Sequence, residues 1–247
     1  MMEFYKQVWW IGFLLLWPLK VLAAPLVADL STYRIEIDSG FNGTRLFLFG
    51  ARIENGDIIV VIRGPQKDYM VRKKHRIAGV WINRQSMKFS GVPDFYAVAA
   101  SKPLESLRAN SALNALGIGE EALLVPPRYG KDVGEYPQFA EAFRRQQRQQ
   151  ALYNASPAPI GFMAETLFKT EIAFPDRIPK GDYTAEIYLF DDGELIGMQT
   201  TPLHVSKSGF DAFVADLAHR SPTLYGFIAV LIALGAGWAA GRLFERT

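Results

Sequence analysis

The chain has 247 residues, 49% of them apolar, with 27 basic and 25 acidic side chains and a net charge of +2. That length holds one large or two small domains, that composition excludes a polytopic membrane protein, and the balanced charge gives nucleic acid no field of one sign to follow. With no cysteine, disulfides, thiolate metal sites and thiol nucleophiles are excluded as well.

At the N-terminus Lys6 precedes an apolar run from Val8 to Leu19, interrupted by Pro18 and followed by Lys20 and the small residues Ala23 and Ala24. This is the layout of a signal peptide, too short to span a membrane comfortably, so residues 1–23 are expected to be removed.

From Ser31 to Leu104 short strands follow one another. In TYRIEI, Tyr33, Ile35 and Ile37 alternate with polar residues. TRLFLFGARI and DIIVVIRG flank Glu54-Asn55-Gly56-Asp57, and Asn-Gly between two apolar runs predicts a hairpin closed by a type I′ turn. DYMVRKK, GVWINRQSMKF and DFYAVAAS are weaker strands. Arg72-Lys73-Lys74-His75-Arg76 concentrates four formal charges in what reads as a loop, a candidate contact for an anion, an anionic lipid head group or an acidic partner surface. A solvated strand connection is the plainer reading.

Ser101-Lys102-Pro103 opens a helical stretch with Leu104, Leu107, Leu113 and Leu116 near helical spacing, and Gly117 is placed to end it. A second helix is expected from Pro137, with Phe139 and Phe143 on one face, Glu141 able to pair with Arg145, and RRQQRQQ in water. These helices, at about residues 102–155, read as an insertion into the β domain or a cap on it.

Strands resume with FMAETLFKTEIAF from Phe162, then YTAEIYLF, the turn Asp191-Asp192-Gly193 and ELIGMQTTPLHV. Tyr183, opening its strand after Pro179 and Gly181, resembles the corner of immunoglobulin-like sandwiches, where a tyrosine hydroxyl bonds back to upstream backbone. Eight or nine short strands predict a mainly β fold, an immunoglobulin-like β-sandwich over residues 24–208, with a barrel as the alternative.

GFDAFVADLAHR places Phe210, Phe213, Val214 and Leu217 on one side of a juxtamembrane helix over residues 209–220, lying on the membrane surface or extending the span. Ser221 to Gly241 carries no formal charge. At ~1.5 Å per residue the run is about 31 Å long, the thickness of a bilayer's hydrocarbon core. It predicts one transmembrane helix, and Arg242 and Arg246 in the tail 242–247 place that tail inside. The expectation is a single-pass type I protein of a bacterial inner membrane with its sandwich in the periplasm. Within the span Ala229, Ala233, Gly237 and Gly241 recur every four residues and line one face, a candidate surface for helix packing.

The stretches TYRIEIDSGFNGTRLFLFGARIENGDIIVVIRGP, GVWINRQSMKFSGVPDFYAVAASKPL and FKTEIAFPDRIPKGDYTAEIYLFDDGELI ahead of a C-terminal span carry a family resemblance. Over nearly all of the mature chain the sequence resembles the alphaproteobacterial putative transmembrane protein family. The resemblance implies an exported, membrane-tethered protein of a kind encoded near exporters of the sulfite and taurine type, and supplies no active site to carry over.

Chemistry-bearing residues are sparse. His75, His204 and His219 have no metal-ligand spacing. Met70, Met87, Met163 and Met198 are scattered and expected in the core, and Asp191-Asp192 reads as turn chemistry rather than a carboxylate pair. No catalytic residue, metal ligand or cofactor is therefore expected. The residues favour a non-enzymatic accessory or assembly partner of another membrane protein, a transporter among the candidates. Its partners would be the lipid bilayer and that protein, or a second copy of the chain through the span. The competing readings are a binding module for a small anion or polyanion and an enzyme of unrecognised type.

Overall fold

The computed structural model describes residues 24–77, 79–107, 109–124, 134–154, 156–209, 214 and 217–244. The expected signal peptide lies outside them, as do Phe210 and Phe213 of the juxtamembrane helix.

Among the described residues eleven strands run in chain order as β1 (Leu26–Leu30), β2 (Arg34–Ile37), β3 (Thr44–Arg52), β4 (Asp57–Arg63), β5 (Gln66–Ile77), β6 (Val80–Pro93), β7 (Tyr96–Ala100), β8 (Ala158–Phe162), β9 (Leu167–Phe174), β10 (Gly181–Asp191) and β11 (Glu194–Lys207). Nine pair in the order β1-β3-β9-β8-β7-β4-β10-β11-β2. They form two layers, β1-β3-β9-β8 and β7-β4-β10-β11-β2, joined by a short parallel contact at Ala99↔Ala158 and Ala100↔Pro159. The first layer has the A-B-E-D order of immunoglobulin domains and β4-β10-β11 the C-F-G order, with β2 running parallel to β11.

Alternation builds the core between the layers. Along β9, Phe168, Thr170, Ile172 and Phe174 point inward while Leu167, Lys169, Glu171 and Ala173 face out. Tyr183 is buried against Phe95 and Phe174, and its hydroxyl donates to the Pro179 carbonyl at 2.5 Å. The tyrosine corner is therefore present. Asp192 (φ 41°) and Gly193 (φ 90°) close the β10–β11 hairpin, both in the left-handed region that a type I′ turn requires.

Asn55-Gly56 does not close a hairpin. β3 pairs with β1 and β9, whereas β4 pairs with β10 and β7, so the segment between them crosses from one layer to the other. Packing, not turn geometry, demands glycine there: a Cβ on Gly56 would stand 2.5 Å from the Phe190 carbonyl oxygen and 2.9 Å from Leu189 Cδ1. The outer edge of β1 is sealed by a side chain of β11. Gln199 accepts from Ala28 N at 2.8 Å and donates to Ala28 O at 2.6 Å.

Between β7 and β8 lie a 3-10 turn at Leu104–Ser106, α1 (Asn110–Ala115) and α2 (Tyr136–Gln149). The first predicted helix is thus split, and it ends as expected at Gly117 (φ 63°), whose neighbour Ile118 donates back to Leu113 O at 2.8 Å. The insertion covers the outer face of β4, so Ile58 to Ile62 are buried on both sides. On that face Arg63 reaches Glu186 Oε2 at 2.9 Å and the carbonyls of Leu116 and Gly117 at 2.9 and 3.1 Å. Glu141 pairs with Arg144 and Arg148, each at 3.0 Å, rather than with Arg145. Nor is RRQQRQQ wholly in water, since Gln147 is buried. Of the four methionines expected in the core, Met87 is buried but Met70, Met163 and Met198 are more than half exposed.

The C-terminal helix α3 (Pro222–Phe244) contains an apolar stretch, Pro222–Arg242, none of which is buried within the chain. Ser221 N donates to Leu217 O at 2.9 Å and Tyr225 N to Ser221 O at 3.0 Å. Leu217–Arg220 is therefore helical and linked by these bonds to α3.

Candidate functional site

The basic pentad, whose Arg72–Lys74 also ends the expected strand DYMVRKK, lies wholly in a strand and not in a loop. Arg72–Arg76 forms the outer half of β5, which pairs with β6 alone from Gln66↔Pro93 to Ile77↔Val80, a two-stranded ribbon inserted between β4 and β7. Its base is apolar on one face and packs on α2: Tyr69 and Phe89 approach Phe143 with ring centroids 5.0 and 5.5 Å away, and Phe89 lies 6.0 Å from Tyr136. Tyr69 donates its hydroxyl to the buried Asp94 carboxylate, and burial, aided by that partner, pushes its pKa up to about 12.

Contact with α2 ends at two polar ties. Lys73 Nζ donates to Gln138 Oε1 at 3.0 Å, and Gln85 Nε2 to Glu135 Oε1 at 2.5 Å, with His75 beside Gln85 at 3.4 Å. A bulge between Lys73 and Lys74 follows, and the ribbon then continues without an apolar floor. A strand that no longer covers a core has no need of apolar alternation, which is why this half carries charge and is hard to recognise as β.

Arg72, Lys73, Lys74 and Arg76 are all exposed, and among the described residues no carboxylate pairs with Arg72, Lys74 or Arg76. Arg72, Lys73, Lys74 and Arg145 border a groove of about 420 Å³ beside Phe139 on α2. Past them, at the end of the ribbon, Val80, Trp81 and Ile82 are 62%, 64% and 41% exposed.

A second surface went unnoticed in the sequence. On the outer face of β1, β3 and β9, Val27, Ala51 and Leu167 form one cross-strand row, Phe49 stands in the next between Asp29 and Lys169, and Phe47 follows beside Glu171. Phe47 and Phe49 stack at 6.4 Å, are 40% and 45% exposed, and leave an apolar stripe bordered by the Arg45–Glu171 ion pair at 3.0 Å. The signal was in Leu46-Phe47-Leu48-Phe49, an unbroken apolar run that reads as a strand covered on both faces, although here one face is open.

In the span, Ala229, Ala233, Gly237 and Gly241 are exposed, and a Cβ built at Gly237 or Gly241 would meet nothing within 4 Å. A cavity of about 580 Å³ beside α1 is lined by Glu105, Glu120, Glu121 and Asn154; burial raises the Glu120 pKa while Arg148, 3.4 Å away, opposes the rise. His204 pairs with Asp182 at 2.7 Å on the surface, remote in sequence from His75. These groups hold neither a nucleophile beside a general base nor, among the described residues, three metal-binding side chains together.

Residues 25–246 match the family described as "Putative transmembrane protein (Alph_Pro_TM)". No curated protein matches the chain.

Proposed function

Because the chain belongs to that family of transmembrane proteins, we propose that it is a single-span, non-enzymatic accessory or assembly partner of another membrane protein, with its sandwich held in the periplasm of a bacterial inner membrane. The observation that carries this reading is the stripe of Val27, Phe47, Phe49 and Leu167 on the outer face of the first layer. An apolar centre with a charged rim is the anatomy of a stable protein interface, and a water-facing sandwich gains nothing from two exposed phenylalanine rings. The small-residue face of α3 supports the same reading, because helices associate in lipid by close packing and not by a hydrophobic effect.

Native mass spectrometry of the full chain extracted in mild detergent tests this. The expected result is a stoichiometric membrane partner that is lost in Phe47→Ser/Phe49→Ser and weakened in Gly237→Leu. Gly235→Leu and Leu231→Ile, off the small-residue face, should keep it. A chain that emerges alone from every mild detergent would overturn the reading.

One observation favours a second reading, a periplasmic module for a small anion: the groove bordered by Arg72, Lys73, Lys74 and Arg145. Titration with phosphate or sulfate, repeated with Arg145→Ala, distinguishes it, since only this reading needs saturable binding there.

A further inference from the structure

We propose that the end of the β5–β6 ribbon docks on an anionic bilayer surface: Val80, Trp81 and Ile82 enter the interface, and Arg72, Lys74 and Arg76 engage phosphate head groups. This lipid contact is separate from the protein contact assigned above to the outer face of β1, β3 and β9.

Three observations lead there. The first is the arrangement of the apolar tip. Successive residues of a strand point to opposite faces, so Trp81 projects from one face of the ribbon while Val80 and Ile82 project from the other. A protein surface meeting a two-stranded ribbon covers one face. A fluid interface surrounds the tip and covers both, and tryptophan is the side chain most suited to that level of a membrane.

Second, the cations stand at the right depth. Arg76 pairs with Trp81 next to the terminal Ile77↔Val80 pair, and Lys74 pairs with Asn83 two positions further back. At about 3.3 Å per residue Arg76 lies roughly 3 Å, Lys74 roughly 10 Å and Arg72 roughly 17 Å behind the tip. With the tip 5–10 Å below the head-group boundary, as amphipathic segments sit, Arg76 and Lys74 fall among the phosphates. Arg72 then lies within about one Debye length, ~10 Å at 0.1 M salt, of the surface.

Third, the bilayer is within reach by construction. Residues 208–216 join β11 to the helical turn Leu217–Arg220 that leads into α3, and a chain of that length extends no further than about 31 Å. The ribbon is itself about 40 Å long. A tether of this size holds the sandwich near the leaflet and raises the local concentration of its own membrane for the tip.

Because the chain has no cysteine, Val80→Cys provides a single labelling position. The full chain is labelled there with an environment-sensitive fluorophore and reconstituted in phosphatidylcholine vesicles with or without phosphatidylglycerol, the acyl chains being brominated. The label should be quenched in phosphatidylglycerol vesicles and little quenched in phosphatidylcholine alone. A label at Thr200→Cys, an exposed position on β11, should stay unquenched in both. Each cation near an anionic surface multiplies partitioning roughly fivefold, so Arg72→Ala/Lys74→Ala/Arg76→Ala should lower the docked-to-free ratio by about 100-fold. Trp81→Ala, which leaves every charge in place, should lower it by about tenfold through lost apolar burial. The proposal is overturned if position 80 is quenched no more than position 200. It is equally overturned if quenching ignores both lipid charge and the triple substitution, or if the tip crosslinks to a protein while escaping lipid quenching. None of these results touches the stripe at Phe47 and Phe49, so failure here leaves the accessory reading standing.

Discussion

Substitutions at Gly56 separate a packing requirement from a turn requirement. If Asn55-Gly56 formed a type I′ turn, the glycine would be there for a positive φ, and asparagine, which tolerates the left-handed region, would replace it at less cost than alanine. The crossing between layers makes the opposite ordering. An alanine Cβ at 2.5 Å from the Phe190 carbonyl oxygen must move it, and the buried strand that carries it, by nearly 1 Å. Overpacking of that kind costs about 1–3 kcal/mol, and asparagine adds three further heavy atoms to the same space. For a domain of this size each kcal/mol lowers Tm by about 2–4 °C. Gly56→Ala should therefore melt about 2–12 °C below the parent, given that range of costs, and Gly56→Asn lower still. Gly193, at φ 90° in the true hairpin turn, should show the reverse order, asparagine being milder than alanine. The measurement is thermal unfolding of the full chain in detergent, followed by near-ultraviolet circular dichroism, to which the buried Tyr96, Tyr153, Tyr183 and Tyr188 contribute. A Gly56→Asn variant more stable than Gly56→Ala would refute the packing argument.

Two other measurements follow from named groups. Burial raises the pKa of Tyr69 and Tyr96 to about 12 and also raises those of Tyr153, Tyr183 and Tyr188, so these phenols hold their protons in the folded state after the unfolded chain has begun to lose them. The stability they contribute is complete below the unfolded value of about 10 and falls as pH rises from there through the folded values; ionisation of all ten tyrosines near pH 10 with native circular dichroism retained would contradict this. Reporters fused after Ser208 and after Thr247 should be active only outside and only inside the cytoplasm respectively, and a cytoplasmic signal at Ser208 would sink the periplasmic assignment.

Much of the sandwich was legible because most of its strands obey one-sided burial. Tyr183, Ala185 and Ile187 alternate with polar residues, Asp191-Asp192-Gly193 is a turn that local chemistry dictates, and an uncharged run as long as Ser221–Gly241 has few uses besides a span. Three features escaped for distinct physical reasons. Asn55-Gly56 carried the composition of a hairpin, but sheet partners are chosen by tertiary packing, which local sequence does not encode. β8 contains Pro159 and Gly161 and pairs briefly, so propensity argued against it. The outer half of β5 escaped only past Lys74, since DYMVRKK reads as a strand: alternation is lost where α2 stops supporting the ribbon, and a charged strand without a buried face resembles a loop.

That charged strand also bears on how the sandwich manages its edges. An open edge invites pairing with another chain unless something blunts it. β1 is sealed by Gln199, β11 by β2 over residues 204–207, and β7 by the Ala99 and Ala100 contact with β8 and by the Tyr96↔Tyr153 bridge. Among the described residues the β5–β6 ribbon has neither a third strand nor a sealing side chain along its outer half, and Arg72, Lys73, Lys74 and Arg76 are the residues that discourage edge-to-edge association there. Charge on the ribbon thus has a sufficient structural cause, and taken alone it would assign no partner. The tip has no such cause. Val80, Trp81 and Ile82 are strong β formers with large apolar surfaces, and on an open ribbon they promote the very association that the neighbouring cations oppose. A ribbon shaped only to stay soluble would end in polar residues around Gly79. Three exposed apolar side chains held at the end of a cationic stem instead match a surface that is anionic outside and apolar within, which is the cross-section of the membrane to which this chain is tethered.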